Sequence, residues 1–441
     1  MQNVRCLDHV VFRSKRLCVV LTMGQYLSLI VLLVILSLYL SVVLEELSAM
    51  LHMTQVCIIG SGPSGLLLAQ LLAQAGIDTI ILDRKDRAYI EGRIRAGVLE
   101  QGTVAALEDA GVADRLAVEG LRHDGFDLAF DGVRHRIDLF GLTGQSVTVY
   151  GQTEVTKDLF KAREAQEQKF FFNVEDVIPA DLTSHKPVVR FQHNGQEHII
   201  SCDYIAGCDG YRGVSRGAIP ANVLKTFERV YPFGWLGILV EKPPVSDELI
   251  YANHPRGFAL ASMRSETRSR YYVQCDLQDR LSDWPDDRFW EEFAARLGTD
   301  TTAKLQTGPS FEKSIAPLRS FVAEPMRYGN LFLAGDAAHI VPPTGAKGLN
   351  LAVADIRVLS RALIERYVNA NDHYLDTYSE TVLNRVWKVE RFSWQLSTLM
   401  HQFPENSPFE KRMQRAEFDY IATSEAASKA IAENYVGLPL E

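Results

Sequence analysis

The sequence lacks the cysteine spacing that zinc sites and disulfide frameworks need. Its six cysteines are scattered singly over 441 residues, without a CxxC or CxxH pair. The chain also lacks a surplus of positive charge, since 46 Lys and Arg stand against 55 Asp and Glu, for a net charge of −9. Such a chain is poorly suited to hold a nucleic-acid backbone. We therefore expect no metal site, no nucleic-acid partner and a reducing, cytoplasmic setting.

One stretch, residues 18–44, has almost no charge and is long enough to cross a bilayer of about 30 Å. Basic residues precede it and two glutamates follow, so an anchor would place the rest of the chain outside the cytoplasm. No small-residue cleavage site of a secretory signal follows the stretch. We expect that Met53 is the true start, that residues 1–52 lie outside the native fold, and that the protein does not associate with a membrane. A genuine membrane anchor is the alternative.

The sequence has no internal repeat or low-complexity segment, and its first clear pattern is a glycine-rich turn between a strand and a helix. The turn, GSGPSG, spans residues 60–65 and contributes Gly60, Gly62, Ser64 and Gly65. Missing side chains there would let a pyrophosphate approach backbone N–H groups at the helix start. Asp83 follows about twenty residues on, where a carboxylate can bind ribose hydroxyls. A glycine-rich turn beside a surface acid is the alternative interpretation.

Two further acidic turns follow apolar strands. Asp209 and Gly210 could belong to any turn that ends a strand. The other turn is more specific: Asp336 follows a buried strand, and the segment PPTGAKGLN (342–350) then opens a helix. An acid at this place can hold the ribityl hydroxyls of a flavin, while the helix start directs N–H groups at the flavin ring.

These motifs, in this order, resemble those of the group A flavoprotein monooxygenases. The resemblance runs from about Thr54 to Leu440 and is closest to members that hydroxylate 4-hydroxybenzoate. The stretches that carry it are GRIRAGVLEQ (92–101), YPFGWLG (231–237), LIYANHPRGF (249–258), AHIVPPTGAKGLN (338–350) and NYVGLP (434–439). It implies FAD, NADPH with NADH as the alternative, O2, a flavin C4a-hydroperoxide and a homodimer.

The implied fold is α/β: a Rossmann-like FAD-binding domain of the glutathione-reductase type, interleaved with a sheet-based substrate domain and followed by C-terminal helices. Short apolar runs with β-branched residues and a helical pattern after Leu349 agree with this. We expect the FAD-binding domain at 53–150, 203–225 and 320–360, and the substrate domain at 151–202 and 226–319. Residues 361–441 would form a helical region at the active site and the dimer contact.

By the same resemblance, the substrate pocket has a cationic end and a phenolic end. Arg264 would grip the substrate carboxylate with its guanidinium fork, helped by Ser262 and Tyr272. Tyr251 would accept a hydrogen bond from the phenol and pass the proton through Tyr435 towards His123, because the phenolate is the reactive form. The carbonyl of Pro343 would touch the phenol. Without the resemblance, these tyrosines would be taken as core or surface residues and His123 as an exposed histidine.

The remaining carried-over residues are expected to bind the two nucleotides. Arg270 would govern movement of the flavin between a buried and an outward position. The expected FAD contacts otherwise include Arg93, Arg95, Gln152, Lys347, Gly348, Leu349 and Asn350 besides the glycines and acids named above. Arg84, Tyr89, Arg212 and Arg319 would contact the nicotinamide cofactor. Lys85 and Arg212 add positive charge to that region, which favours NADPH.

Two competing interpretations remain. The same fold could act on a different phenolic or aminobenzoic acid, although the tyrosine pair and the Ser262 and Arg264 pair favour 4-hydroxybenzoate. Alternatively, a membrane-anchored FAD protein could transfer electrons or bind a partner without hydroxylating anything. That second alternative requires the apolar stretch at 18–44 to be a real anchor.

Overall fold

The computed structural model describes residues 9–14, 17–22, 28–37, 50–93, 97–166 and 168–439. At its start, β1 (His9–Ser14) and β2 (Leu17–Thr22) pair antiparallel, and residues 28–37 form helix α1, whose side chains are exposed. Within the described ranges, no helix combines the length and the apolar character that crossing a membrane would require. The rest of the apolar stretch, residues 23–27 and 38–44, lies outside those ranges.

A six-stranded sheet carries the predicted nucleotide motifs. In spatial order its strands are β11 (Lys169–Phe171), β5 (Thr79–Leu82), β4 (Val56–Ile59), β15 (Tyr204–Gly207), β22 (Leu331–Leu333) and β21 (Arg327–Tyr328). All neighbours are parallel except the last pair. The order β4, α2 (Pro63–Gln74), β5 confirms the predicted strand–helix–strand unit. Helices α7 (Gln152–Ala165) and α10 (Gly348–Asn369) pack against α2.

An eight-stranded sheet forms the second layer and positions the candidate site. Its strands in spatial order are β23 (His339–Ile340), β20 (Ser310–Glu324), β16 (Lys225–Val240), β19 (Arg268–Cys275), β18 (Ala259–Ser265), β17 (Ile250–Asn253), β8 (Gly125–Phe130) and β9 (Val133–Asp138). Because side chains alternate along a strand, each strand serves both faces. One face packs on the C-terminal helices and the other on α8 (Asp286–Leu297).

Two smaller sheets complete the strands. One contains β12 (Glu175–Ala180), β13 (Val188–His193), β14 (Gln196–Ser201) and β3 (Leu51–Met53), and the other contains β6 (Val98–Leu99), β10 (Val147–Val149) and β7 (Leu121–His123). Strand β3 includes two residues upstream of Met53 and pairs parallel with β14.

The C-terminal third is mainly helical, which confirms the periodicity after Leu349. Its long helices are α10, α12 (Tyr378–Met400), α13 (Pro408–Thr423) and α14 (Glu425–Val436). Helix α13 begins where Ser407 and Glu410 form a capping box and Pro408 occupies the first turn. The shorter helices are α3 (Arg87–Glu91), α4 (Gln101–Asp109), α5 (Asp114–Glu119), α6 (Leu139–Thr143), α9 (Thr299–Thr302) and α11 (His373–Asp376).

Two segments of the chain belong to different sheets from those that the predicted domain boundaries imply. Strands β8 and β9, placed with the FAD-binding domain, belong to the eight-stranded sheet, whereas β11, placed with the substrate domain, pairs with β5 of the six-stranded sheet. Strand pairing between distant segments leaves no trace in local hydrophobic periodicity, which explains the difference. The division of the chain into domains stays a prediction.

Candidate active site

The glycine-rich turn brings β4, α2 and β15 into close contact. A Cβ atom on Gly60, whose φ is +104°, would lie 2.3 Å from the carbonyl oxygen of Cys208, and one on Gly65 would lie 2.0 Å from that of Gly60. By contrast, a Cβ on Gly62 would meet nothing within 4 Å, so the start of α2 faces open space. Ser64 lies in the first turn of α2, where backbone N–H groups lack helical acceptors. The turn therefore fits a dinucleotide phosphate.

Asp83 is held in place by the same turn. Its Oδ2 accepts hydrogen bonds from the backbone N–H and the hydroxyl of Ser61, each at 2.8 Å, and its Oδ1 accepts one from the N–H of Lys85 at 2.9 Å. The carboxylate thus stands at the end of β5 in a fixed orientation. A carboxylate retains further lone pairs for a ribose hydroxyl.

Asp209 and Asp336 follow the ends of two adjacent parallel strands, β15 and β22. Oδ2 of Asp209 accepts from the N–H groups of Val214 and Ser215, at 2.6 and 2.9 Å, while Oδ1 is buried without a hydrogen-bond partner in the described part of the chain. Burial raises the pKa of Asp209 although these hydrogen bonds lower it. Asp336 is exposed, and no described residue donates a hydrogen bond to its carboxylate. Both acids fit the hydroxyl groups of a flavin dinucleotide.

The cationic end of the predicted pocket is assembled on β18 and β19. Ser262 pairs with Arg270, and Leu260 with Tyr272, across the two antiparallel strands. Directly paired side chains, and those two positions apart, share a face, so these four residues line one side of the sheet. Arg264 lies at an irregularity of the pairing, between Met263 and Ser265, and its guanidinium interacts with Tyr272 on that same side. The Ser262 hydroxyl donates to the carbonyl of Arg270 at 2.7 Å.

The guanidinium of Arg264 is only partly hydrogen-bonded. A terminal N–H donates to the carbonyl of Met263 at 2.8 Å, whereas Nε is buried without a partner among the described residues. Burial lowers the pKa of Arg264, and neighbouring Tyr272 raises it. A buried guanidinium with an unpaired donor is well suited to a carboxylate that arrives from solution.

Arg270 is almost fully buried and is paired with Glu312 of β20. It also donates to the hydroxyl of Ser314 at 3.1 Å and lies 5.0 Å from the ring centroid of Tyr272. A Cβ on Gly237 would lie 2.7 Å from the Tyr272 ring and 2.8 Å from the Arg270 guanidinium, so glycine makes room for both. Although burial raises the pKa of Tyr272, the guanidinium groups of Arg270 and Arg264 bring it below its usual value.

The phenolic end contains a buried tyrosine pair. The hydroxyls of Tyr251 and Tyr435 lie 2.9 Å apart, and both side chains are about 1% exposed. Phe126 stacks on Tyr435 with ring centroids 4.2 Å apart. Burial raises the pKa of both tyrosines, so both are protonated at neutral pH and either can donate to the other. The structure thus brings together two tyrosines that lie 184 positions apart in the sequence.

His123, the predicted end of the relay, is buried rather than exposed. Its Nδ1 has no partner among the described residues, and no described hydrogen bond joins it to Tyr435. Burial lowers its pKa, whereas nearby carboxylates, Glu248 foremost, raise it. The imidazole is therefore neutral around pH 7 and able to accept a proton.

The turn at 342–350 directs two predicted FAD residues into the protein. Nζ of Lys347 donates to a carboxylate oxygen of Glu100 and to the backbone carbonyl of Tyr435, both at 2.7 Å. Asn350 accepts from the N–H of Glu100 at 2.9 Å and donates to the carbonyl of Val98 at 2.8 Å. These side chains tie the turn to β6 and to the end of α14. Gly348 and Leu349 occupy the first turn of α10, and Pro343 is exposed, its carbonyl accepting from Ala346.

The predicted nicotinamide residues share one surface. A guanidinium N–H of Arg84 lies 3.5 Å from the carbonyl of Arg212, whose neighbour Tyr211 lies 4.7 Å from the guanidinium of Arg319. Arg319 also pairs with Glu228 at 2.8 Å. Tyr89 is exposed on α3, which begins three residues after Arg84.

Two predicted FAD residues flank α7. Arg93 is exposed and its carbonyl accepts from Thr153 at 3.2 Å, next to Gln152 at the start of that helix. Arg95 lies outside the described residues.

Sequence reasoning missed Glu312, Ser314 and Gly237. All three belong to the long strands β16 and β20, and Gly237 pairs with both Ser314 and Tyr272. The only indication of this ion pair in the sequence was a glutamate at an inward position of a strand. Its partner, Arg270, lies 42 positions earlier in the chain, so no local pattern links the two residues.

The chain is similar to known flavin-dependent enzymes over most of its length. Residues 53–393 match the family described as "FAD binding domain". The p-hydroxybenzoate hydroxylase of Acinetobacter baylyi is 57% identical over 389 residues, which are 88% of this chain and 96% of that protein. Pentachlorophenol 4-monooxygenase of Sphingobium chlorophenolicum is 26% identical, covering 73% of this chain and 60% of that protein.

Among solved structures, p-nitrophenol 4-monooxygenase of Pseudomonas putida has the same fold, with a TM-score of 0.75, 21% identity and coverage of 88% of this chain and 100% of that one. The matched family and the 57% identical hydroxylase cover most of the chain. The chain therefore belongs to the family of FAD-dependent aromatic monooxygenases.

Proposed function

We propose that this enzyme hydroxylates 4-hydroxybenzoate to 3,4-dihydroxybenzoate. The balanced reaction consumes 4-hydroxybenzoate, NADPH, a proton and O2, and yields 3,4-dihydroxybenzoate, NADP+ and water. The observation that carries the proposal is one sheet face with an incompletely paired guanidinium at Arg264 and a buried hydroxyl pair at Tyr251 and Tyr435. The high identity to a p-hydroxybenzoate hydroxylase supports it.

The substrate carboxylate binds at the cationic end. Arg264 forms a charge-assisted pair with it, using the buried Nε that is otherwise unpaired. The hydroxyl of Tyr272 donates a hydrogen bond to the same carboxylate. Ser262 lies on the same face of the sheet and adds a further polar contact. These groups orient a flat ring so that its opposite tip points at the tyrosine pair.

The substrate phenol is deprotonated at the other end. Tyr251 accepts a hydrogen bond from the phenol, and a proton passes on through Tyr435 to His123, with the carbonyl of Pro343 against the same phenol. Loss of the proton raises electron density at the carbon next to the phenol oxygen, which is the carbon that is hydroxylated. The buried tyrosines hold that proton path apart from bulk water.

When bound, FAD supplies the redox chemistry by taking a hydride from NADPH and activating O2. Gly60, Gly62, Ser64 and Gly65 would hold its pyrophosphate, and we expect Arg93 and Arg95 to contact FAD as well. Asp83, Asp209 and Asp336 would hold its hydroxyls. Gln152 and the residues from Lys347 to Asn350 would contact FAD, and Arg270 would govern the position of the flavin ring.

NADPH binds on the surface that contains Arg84, Tyr89, Arg212 and Arg319. Two of these arginines, Arg84 and Arg212, are exposed and can reach phosphate groups. Lys85 lies beside Tyr89, with its Nζ 5.2 Å from the ring centroid. The positive charge of this surface favours NADPH over NADH.

We further infer a cytoplasmic homodimer. Phe409, Met413 and Tyr420 are exposed on α13 at positions that share a helix face, and such an apolar stripe is suited to a second copy. A cytoplasmic setting agrees with the use of NADPH and with four buried, unpaired cysteines among the described residues.

Product analysis tests the proposal directly. Purified holoenzyme is incubated with 4-hydroxybenzoate, NADPH and O2, and products are separated by chromatography against authentic 3,4-dihydroxybenzoate. We expect one equivalent of product for each NADPH oxidised. Parallel reactions with 3-hydroxybenzoate and 4-aminobenzoate are controls; a faster hydroxylation of either would overturn the substrate assignment.

A further inference from the structure

His401 is a buried imidazole next to the candidate site that no step above uses. It follows the last turn of α12 and has no exposed surface. Its Nε2 lies 2.7 Å from Nε1 of Trp235, and its Nδ1 lies 2.9 Å from the carbonyl oxygen of Ser397. An indole N–H can only donate, so Nε2 is the acceptor and the imidazole proton sits on Nδ1. The tautomer is thus fixed by its partners.

The imidazole is also enclosed by aromatic rings. Phe233 stacks on it with centroids 4.6 Å apart, and Phe258 lies 4.4 Å away on a tilted plane. Burial lowers the pKa of His401 to about 3. The ring therefore stays neutral at working pH and does not act as an acid or a base in turnover.

Two of the rings that His401 contacts, Trp235 and Phe258, lie towards opposite ends of the candidate site. Trp235 lies 5.0 Å from Tyr272, which stands at the cationic end, and 5.0 Å from Phe258. Phe258 in turn lies 6.3 Å from Tyr251 at the phenolic end. One aromatic layer, supported by His401, therefore spans the distance between the two groups that hold the substrate.

The same turn of α12 reaches a third part of the site. The hydroxyl of Ser397, whose carbonyl accepts from His401, lies 2.8 Å from that of Thr344, next to Pro343. Both hydroxyls are buried. The end of α12 thus contacts the aromatic layer and the turn that touches the substrate phenol.

We propose that His401 is a positioning residue that fixes Trp235, and through it sets the spacing between the carboxylate-binding and phenol-binding ends of the pocket. This inference rests on the proposed function, because the pocket concerned is the one assigned to 4-hydroxybenzoate. An indole that loses its acceptor leaves a buried N–H unsatisfied and shifts to find another partner.

The test compares His401→Phe, which keeps a ring but lacks the acceptor, with His401→Gln, whose amide oxygen can replace Nε2. The dissociation constant of 4-hydroxybenzoate is measured from the absorbance change of bound flavin in the holoenzyme, together with product formed per NADPH oxidised. We expect His401→Phe to weaken binding about tenfold and lower the product ratio, a fold-change typical of one unsatisfied buried donor. His401→Gln should return both values to within about threefold of wild type.

A double variant separates positioning from general damage. Trp235→Phe removes the donor, so adding His401→Phe to it should weaken binding no further. Trp290→Phe is the matched control: it removes a buried indole whose N–H donates to Gly308 at 3.0 Å on the opposite face of the sheet, and should lower stability alone.

The outcomes are distinguishable. If His401→Phe lowers the melting temperature as Trp290→Phe does but leaves the dissociation constant and product ratio unchanged, the positioning role is overturned. A wild-type enzyme that binds 4-hydroxybenzoate without hydroxylating it would refute the proposed function while the binding comparison still decides the role of His401. Absence of binding by the wild type would overturn both.

Discussion

At the scale of single residues, the proposed proton transfer depends on the hydroxyls of Tyr251 and Tyr435. Two buried hydroxyls share one hydrogen bond of 2.9 Å, and burial keeps both protonated. Removing one hydroxyl interrupts proton transfer while leaving the ring and its packing in place.

We expect Tyr435→Phe to slow hydroxylation by about tenfold to a hundredfold, because the relay loses its second member. Binding of 4-hydroxybenzoate should change little, since its carboxylate contacts lie on β18 and β19. Rapid-mixing measurement of product formation checks the rate. Tyr378→Phe is the matched control, because that buried hydroxyl donates to the carbonyl of Leu333 at 2.8 Å, outside the site; an equal effect of both changes would contradict a relay.

The ion pair of Arg270 and Glu312 leads to a second prediction. Glu312→Gln leaves a nearly buried guanidinium without its counter-charge, so we expect a loss of about 2–3 kcal/mol in the free energy of unfolding. Denaturant titration of the holoenzyme measures it.

The control for that change is Glu241→Gln, directly after the end of β16. Its pair with Arg268 is solvent-exposed, with side chains 60% and 46% accessible, so it should cost less than about 1 kcal/mol. Similar losses in the two variants would mean that burial of the Arg270 pair does not matter.

At the scale of secondary-structure elements, the end of α14 is fastened by charged side chains. Arg385 of α12 donates to Glu100 at 3.1 Å and to the carbonyls of Leu438 and Pro439. Lys347 holds the carbonyl of Tyr435 from the other side. The position of Tyr435 therefore depends on groups from two other helices.

We expect Arg385→Gln to loosen this end of the chain. Backbone amides of residues 435–438 should exchange with deuterium about tenfold faster, while those in the middle of α12 keep wild-type rates. Hydrogen-exchange mass spectrometry with peptide resolution gives the answer. Arg361→Gln, which removes an exposed hydrogen bond to Tyr374, is the control; unchanged exchange at 435–438 in Arg385→Gln would show that Lys347 alone suffices.

Much of the element structure was predictable from local patterns. The turn at Gly60, the first strand–helix–strand unit and the C-terminal helices follow from glycine placement and apolar periodicity, and all three are confirmed. The sheet membership of β8 and β11 was not predictable, because pairing joins segments far apart in sequence. The burial of His123 and the Glu312 partner of Arg270 were missed for the same reason.

At the scale of the whole molecule, buried histidines make stability depend on pH. The pKa of His401 is lowered to about 3 by burial, so between pH 6.5 and 3 the unfolded chain binds a proton that the folded chain does not. Stability due to this residue therefore falls as pH falls through that window. Groups with raised pKa, such as Glu390 at about 7, act in the opposite direction and are present in every variant.

We expect the stability gap between wild type and His401→Phe to shrink on acidification from pH 7 to pH 5, because the variant lacks the acid-sensitive imidazole. Comparing the two proteins cancels the contributions of all other titrating groups. Denaturant titrations at both pH values measure the gap; a gap that widens at pH 5 would contradict a neutral buried imidazole.

The paired strands β16 and β20 run from the surface that carries Glu228 and Arg319 to the candidate site, where Gly237 pairs with Ser314. At about 3.3 Å per residue, the nine steps from 228 to 237 separate these places by roughly 30 Å. Between these two places the pairing has one irregularity, between Val230 and Gly234, and a second irregularity lies beyond them, between Leu239 and Val240. This two-stranded ribbon therefore keeps the surface around Glu228 and Arg319 well apart from the candidate substrate site, with the irregularity between Val230 and Gly234 separating them. Coenzyme preference can thus be redesigned at the surface without changing which aromatic acid the substrate site accepts.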